Sequence, residues 1–255
     1  MSNKHYNADY LLDTAKVMQE IKLNSYQKFI QLPQGAILDI GCGTGADVIN
    51  IAKMSPNQIS VYGLDHDEQL IGIAKENSAG VDDVQFLVSE VTQIPFADNF
   101  FSGIRSERLI QHLDSVDIVF NEVFRALMPG APFVIVETDW SSLCFYNGST
   151  EVSTKIVDYL THKKVKNGFA SKRILEYYGA SNFIHPSLQI HPLVANNLQD
   201  VYTYLWMDKI IEEMAVLGIL SQEEKNQFVA ALEQSNQNKS FACSLNIVVA
   251  SAEKP

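Results

Sequence analysis

Short uninterrupted apolar runs alternate along this chain with stretches whose apolar positions recur every three to four residues. The first run, Ala36-Ile37-Leu38-Asp39-Ile40, is closed by Gly41. Val48, Ile49 and Ala52 then fall at helical spacing within 46–54, and Ser55-Pro56-Asn57 stops that helix. Ile59 to Leu64 reads as a second strand ending at Asp65, followed by a helix over 67–78 with Leu70, Ile71 and Ala74 on one face. Val84–Val88 and Phe100–Arg105 read as the third and fourth strands. The clearest helix is 115–128, where Val116, Val119, Phe120, Val123, Phe124 and Leu127 follow a 3.6-residue period up to Pro129-Gly130. Phe133–Val136 is a fifth strand.

Repeated strand–helix alternation predicts a parallel sheet with helices on both faces. Strands buried on both sides read as continuous apolar runs, as these do. After residue 140 the alternation loosens. Helices are expected at 150–166, 171–178, 198–218 and 221–235, with a leading helix over 8–31. Phe183–Leu193 reads as a strand that Pro186 and Pro192 either break or confine to an edge. Phe241–Ala250 is a final apolar strand.

Composition narrows the class. The 255 residues are 46% hydrophobic and 19% charged, which excludes a disordered chain. The length fits one large domain, or one domain with an elaborated cap. A formal net charge of −11 argues against a nucleic-acid backbone as the main partner. His162-Lys163-Lys164-Val165-Lys166 is a basic run short enough to be a solvated helix face. Cys42, Cys144 and Cys243 show no C-x-x-C spacing, so no metal site is expected. No apolar leader and no membrane-length apolar stretch is visible, and the expected location is the cytoplasm.

The chemistry concentrates in Leu38-Asp39-Ile40-Gly41-Cys42-Gly43-Thr44-Gly45, between the first strand and the first helix. Glycines there let the backbone turn sharply and approach a ligand closely. Asp65 ends the next strand, 24 residues after Gly41, where a carboxylate can accept both hydroxyls of a ribose. An adenosine-containing cofactor follows from the two together. Dinucleotide enzymes use G-x-G-x-x-G, whereas the spacing here is G-x-G-x-G, with Ala46 where their third glycine falls. Asp39 before the glycines would repel a pyrophosphate and hold a cation. S-adenosylmethionine, with an ammonium, a sulfonium and no phosphate, is favoured over NAD.

On these residues the sequence resembles the class I S-adenosylmethionine-dependent methyltransferases. It is similar to the ubiquinone/menaquinone-biosynthesis-type and small-molecule members. Ile37–Gly45 matches their first motif, and Gly63-Leu64-Asp65 matches the end of their second strand. Ser89-Glu90-Val91 with Ile94-Pro95-Phe96 resembles the G-D-A…L-P-F adenine loop, and Glu122–Gly130 resembles the E-x-x-R-V-L-x-P-G-G turn. The match spans about 35–140 plus the closing strand. It departs at Glu90 for Asp, Ser102 for Asp and Ala131 for Gly.

The resemblance implies an α/β, Rossmann-like, seven-stranded, mostly parallel sheet with an antiparallel last strand. Residues 1–255 would be a single methyltransferase domain, with its core at about 32–145 and 181–255. Helical cap elements would lie at 1–31, 146–180 and 195–238. By resemblance, Gly41 and Gly43 back the methionine portion, with Asp39 and Cys42 on the same loop. Asp65 takes the ribose, His66 packs beside the adenine, Glu90 and Val91 contact the base, and Arg105 approaches the amino-acid end. The alternative for Arg105 is an ion pair with Glu107 and Arg108 below the site, and the alternative for Asp39 is to orient the loop only.

Methyl transfer is an in-line displacement on an already activated cofactor, leaving S-adenosylhomocysteine. The protein mainly aligns reactants and excludes water. His112, after the fourth strand, is the base candidate, and packing against the next helix is its structural alternative. Acceptor candidates are Tyr10, Trp140 and Asn167, with Tyr6, Asp139, Phe145, Phe169, Tyr202 and Trp206 as further aromatic or polar lining. They suggest a medium-sized, partly apolar small-molecule acceptor. The expected protein is a monomer or homodimer with no nucleic-acid partner. An NAD(P)-dependent oxidoreductase and a non-catalytic S-adenosylmethionine-binding protein are the competing readings.

Overall fold

The computed structural model describes residues 18–55 and 59–255. Tyr6, Tyr10 and residues 8–17 of the expected 8–31 helix lie outside them. The described elements are, in order, α1 (Gln19–Ile30), β1 (Gly35–Ile40), α2 (Ala46–Met54), β2 (Ile59–Asp65), α3 (Glu68–Asn77), β3 (Val84–Val88) and β4 (Gly103–Glu107). A 3₁₀ turn (Ile110–His112), α4 (Val116–Ala126), β5 (Pro132–Phe145), α5 (Thr150–Tyr159) and a π turn (Leu160–Lys164) follow. The chain ends with α6 (Ala170–Ala180), β6 (Ile184–Ala195), α7 (Leu198–Leu205), α8 (Met207–Val216), α9 (Gln222–Gln237) and β7 (Cys243–Glu253).

The described residues form a seven-stranded sheet in the order β3-β2-β1-β4-β5-β7-β6. The first five strands pair in parallel, with Ile37 of β1 opposite Val61 of β2 and Gly103 of β4. β7 runs antiparallel to β5: Ala131 bonds Lys254 at one end and Tyr146 bonds Ala242 at the other. Strand order reverses between β1 and β4, so the carboxyl end of β1 is the topological switch point where open α/β sheets bind ligands. β6 lies at the edge, as its two prolines require.

Two compact units compose the chain. Unit 1 holds the residues up to Glu137, Lys172–Gln189 and Val248–Pro255, and unit 2 holds Thr138–Ser171 and Ile190–Ile247. In unit 1 the apolar faces of β1, β2 and β4 bury Ile37, Leu38, Ile40, Val61, Leu64 and Ile104. The predicted stripe of α4 is its buried face, with the Phe120 ring 5.3 Å from Phe133. Tyr178 of α6 donates its hydroxyl to the carbonyl of Phe133 at 2.9 Å, satisfying a fully buried phenol. Unit 2 has its own core, in which Trp140, Ile156, Met207, Met214, Phe228 and Leu245 pack together.

Three expectations are corrected. The fourth strand begins at Gly103 rather than Phe100. The rings of Phe100 and Phe101 leave the ladder to pack with Tyr62 and Phe96, at 4.8–6.0 Å between centroids. The strand also runs on to Glu107, so Arg105 is mid-strand, not terminal. β5 is 14 residues long, because Trp140, Leu143 and Phe145 continue it into the core of unit 2 behind a polar-looking Glu137-Thr138-Asp139. The helix expected over 198–218 is two helices. Trp206 has φ +52°, a left-handed conformation that stops one helix and starts the next.

Candidate active site

The glycine loop leaves β1 at the switch point. Gly41, Gly43 and Gly45 have φ of +72°, +53° and +78°, a region closed to most side chains. Packing adds a second demand at Gly45, where a Cβ would stand 2.7 Å from the Phe86 ring and 2.9 Å from Ala74. The loop is tied to β2 by the N–H groups of Gly41 and Cys42, which both donate to the carbonyl of Leu64, at 2.7 and 3.1 Å.

Asp65 ends β2 beside this loop, buried but for 6% of its surface. One carboxylate oxygen accepts the N–H of Gly43 at 2.9 Å and the other accepts that of Asp67 at 3.0 Å. Each oxygen keeps further lone-pair capacity, so the group is oriented by the backbone and can still take two hydroxyl donors. His66 is exposed, with Nδ1 3.3 Å from the same carboxylate. Cys42 is a buried thiol whose pKa burial, with Asp39 and Asp65 nearby, pushes well up, so it is inert as a nucleophile. Gly41, Cys42, Gly43, Asp65 and His66 are thus brought together. Glu90 is exposed and Val91 buried, on the loop that follows β3.

Asp39 and Arg105 meet each other instead. Arg105 is fully buried. It donates from Nη1 to Asp39 at 3.1 Å, from Nη2 to Glu107 at 2.6 Å and from Nε to Ser25 at 3.1 Å. Asp47, in the first turn of α2, lies 3.3 Å from Nη1. Lys22 of α1 reaches both Asp47 at 2.8 Å and Glu107 at 2.7 Å, and Tyr26 donates to Asp47. Asp39 is therefore no free counter-charge waiting for a cationic ligand, and the ion-pair alternative describes the Arg105 side chain. Burial raises the pKa of Asp39 to about 7 against the opposing pull of Arg105. Burial would raise Asp47 as well, but Arg105 and Lys22 outweigh it and hold the group well below the carboxylate range. The partners from α1 were not foreseen. Lys22, Ser25 and Tyr26 share one helix face by their i, i+3, i+4 spacing, the signal that was available.

His112 ends the 3₁₀ turn after β4 and is half-buried. Nearby, Glu137 at the end of unit 1's part of β5 is fully buried and accepts the N–H of Gln111 at 3.3 Å. Trp140 and Asn167 belong to unit 2. Trp140 is part of its core, and Asn167 sits in the turn before α6, accepting the N–H of Ala170 at 2.9 Å. Phe145 packs on Phe228 at 5.4 Å, which makes it core. Trp206 carries Lys209 Nζ 4.1 Å above its ring.

A family model described as a methyltransferase domain matches residues 32–181 of this chain. The chain belongs to that methyltransferase family. Its relatives include the ubiquinone/menaquinone biosynthesis C-methyltransferase UbiE of Geotalea daltonii, 30% identical over 44% of this chain and 48% of that protein. An uncharacterized 37.1 kDa protein in transposon TN4556 of Streptomyces fradiae is 26% identical over 74% of this chain and 54% of that protein. The matches thus span about half the length of these curated relatives. Phosphoethanolamine N-methyltransferase 2 of Haemonchus contortus, solved with S-adenosyl-L-methionine, shares the fold with a TM-score of 0.63. Its identity is 20%, covering 99% of this chain and 58% of that one. Membership of the methyltransferase family makes S-adenosylmethionine the cofactor and decides against the nicotinamide-dependent reading.

Proposed function

We propose that this methyltransferase transfers the methyl group of S-adenosylmethionine to a small, partly apolar organic acceptor. The observation that carries this reading is the pairing of the left-handed glycine loop with the backbone-oriented, half-satisfied carboxylate of Asp65. Asp65 would hold the ribose hydroxyls. Gly41 and Gly43 would let the backbone approach the methionine portion, and Glu90 and Val91 would flank the adenine. Bound there, the cofactor supplies an activated methyl for in-line displacement. The chain's own task is to hold and align it and to keep water out. The cluster of Arg105, Asp39, Asp47, Glu107, Lys22 and Tyr26 stiffens the loop from behind.

His112 is the proposed base for an acceptor that must lose a proton. Trp140 and Asn167, in unit 2, are proposed for acceptor binding. Relatives named for ubiquinone and menaquinone biosynthesis and for phosphoethanolamine act on small molecules, which favours the same class here. No described helix is long and apolar enough to cross a membrane. We propose a cytoplasmic enzyme without a nucleic-acid partner, in keeping with its net charge of −11.

Isothermal titration with S-adenosylmethionine, S-adenosylhomocysteine and NAD tests the reading. Both adenosyl ligands should bind and NAD should not. Asp65→Ala should weaken them about tenfold or more, since hydrogen bonds to a charged group are worth about 1.5–3 kcal/mol each. Unchanged affinity in that variant, or binding of NAD alone, would overturn it.

A further inference from the structure

The segment between Ser89 and Asp98 has no regular secondary structure, yet its backbone is held in place by two side chains of α4. Glu122 accepts the N–H of Ile94 at 2.9 Å. Arg125 donates to the carbonyl of Ile94 at 2.9 Å, to that of Phe96 at 2.8 Å and to the Asp98 carboxylate at 2.9 Å. The two side chains also lock each other, with Arg125 Nε and Nη2 on the two oxygens of Glu122 at 3.0 and 2.9 Å. The pair forms one plate that offers the loop a donor–acceptor edge, as a neighbouring strand would.

The loop's other end is fixed as well. Ser89 donates its N–H to the carbonyl of Asp65 at 3.0 Å and its hydroxyl to Gln93 at 3.1 Å. Glu90 and Val91 are therefore suspended between an anchor on Asp65 and an anchor on α4. Their distance from the ribose-binding carboxylate is set by both. The Glu122–Arg125 pair itself is partly solvated, 21% and 30% exposed, and such an ion pair contributes little to folding. Its consequence falls on the loop it holds.

We propose that Glu122 and Arg125 are positioning residues for base recognition. They touch no ligand, and they hold Glu90 and Val91 where the adenine amino group is read. This rests on the assignment of the 90–91 loop to the adenine. A site built to accept from an amino group rejects an analogue that presents a carbonyl there. Arg125→Lys keeps the charge but loses the planar fork that reaches two carbonyls and a carboxylate at once.

The test is the ratio of affinities for S-adenosylhomocysteine and S-inosylhomocysteine, in which a carbonyl replaces the amino group. It is measured by titration on the full chain as wild type, Arg125→Lys, Glu122→Gln and Glu90→Ala. Wild type should prefer adenine at least tenfold, and Glu90→Ala should lose that preference. Arg125→Lys and Glu122→Gln should each cut the ratio fivefold or more, while binding of the inosyl ligand changes less than threefold. Glu122→Gln is near-isosteric and carries the test should the arginine variant fail to fold. Clamp variants that keep the wild-type ratio while Glu90→Ala loses it would overturn the clamp alone. A wild type without preference, or an unaffected Glu90→Ala, would overturn the adenine-loop assignment and the proposal with it.

Discussion

Arg105 shows how one residue organises the floor of the site. A fully buried guanidinium is tolerated only when its donors are satisfied and its charge is matched: Asp39, Asp47 and Glu107 face its donors, and the ionised Asp47 and Glu107 match the charge. With Lys22 the cluster holds two cations against three carboxylates, and Asp39, the deepest acid, is the one whose ionisation burial resists. The sign follows from linkage. Between about pH 4 and pH 7 an unfolded Asp39 is ionised while the folded one still holds its proton, so stability falls as pH rises through that window. Asp47 and Glu107 run the other way, their lowered pKa values giving stability above their unfolded range that is lost in acid. Asp39→Asn should therefore gain on wild type as pH rises from 5 to 8. Melting curves across that range decide the matter, and parallel pH dependences would refute it.

Among elements, the helices follow the sequence pattern where local chemistry governs them. α9 opens on a capping box: the Ser221 hydroxyl accepts the N–H of Glu224 at 3.1 Å and the Glu224 carboxylate accepts that of Ser221 at 2.7 Å. Ser221→Ala should cost about 0.5–2 kcal/mol, read as a lower denaturant midpoint with an unchanged slope. α3 is capped in the same spirit by Asp67, which accepts from Gln69 and Leu70 at 2.8 and 3.2 Å. The break at Trp206 follows no such local rule. An aromatic residue at φ +52° is disfavoured on its own, and the packing of α7 and α8 into the core of unit 2 holds it there.

For the whole molecule, the charge and the sheet topology point the same way. Residues remote in sequence converge on the carboxyl end of β1, and a net charge of −11 works against long-range attraction of a polyphosphate backbone. The purified protein should pass through a DNA–cellulose column at about 0.15 M salt without retention. Retention that salt abolishes would contradict the small-molecule reading.

The sequence by itself determined the fold class, the strand–helix order, the glycine loop and Asp65. Those depend on periodicity and on backbone freedom within a few residues. For β6 the prolines Pro186 and Pro192 left two options, a break or an edge, and the sheet order decides for the edge. Tertiary structure alone decided which partner each charge takes. Asp39 and Arg105 are 66 positions apart, and Lys22 and Glu107 are 85 apart, so no local pattern reports that they share one buried cluster. It likewise decided the start of β4: the backbone of Phe100 and Phe101 bonds the end of α4 and the segment after it, at Ala126 and Met128, while their rings pack with Tyr62 and Phe96. The extension of β5 has the same origin. A polar-looking stretch becomes strand only because β7 pairs with it and a second core receives its apolar side chains.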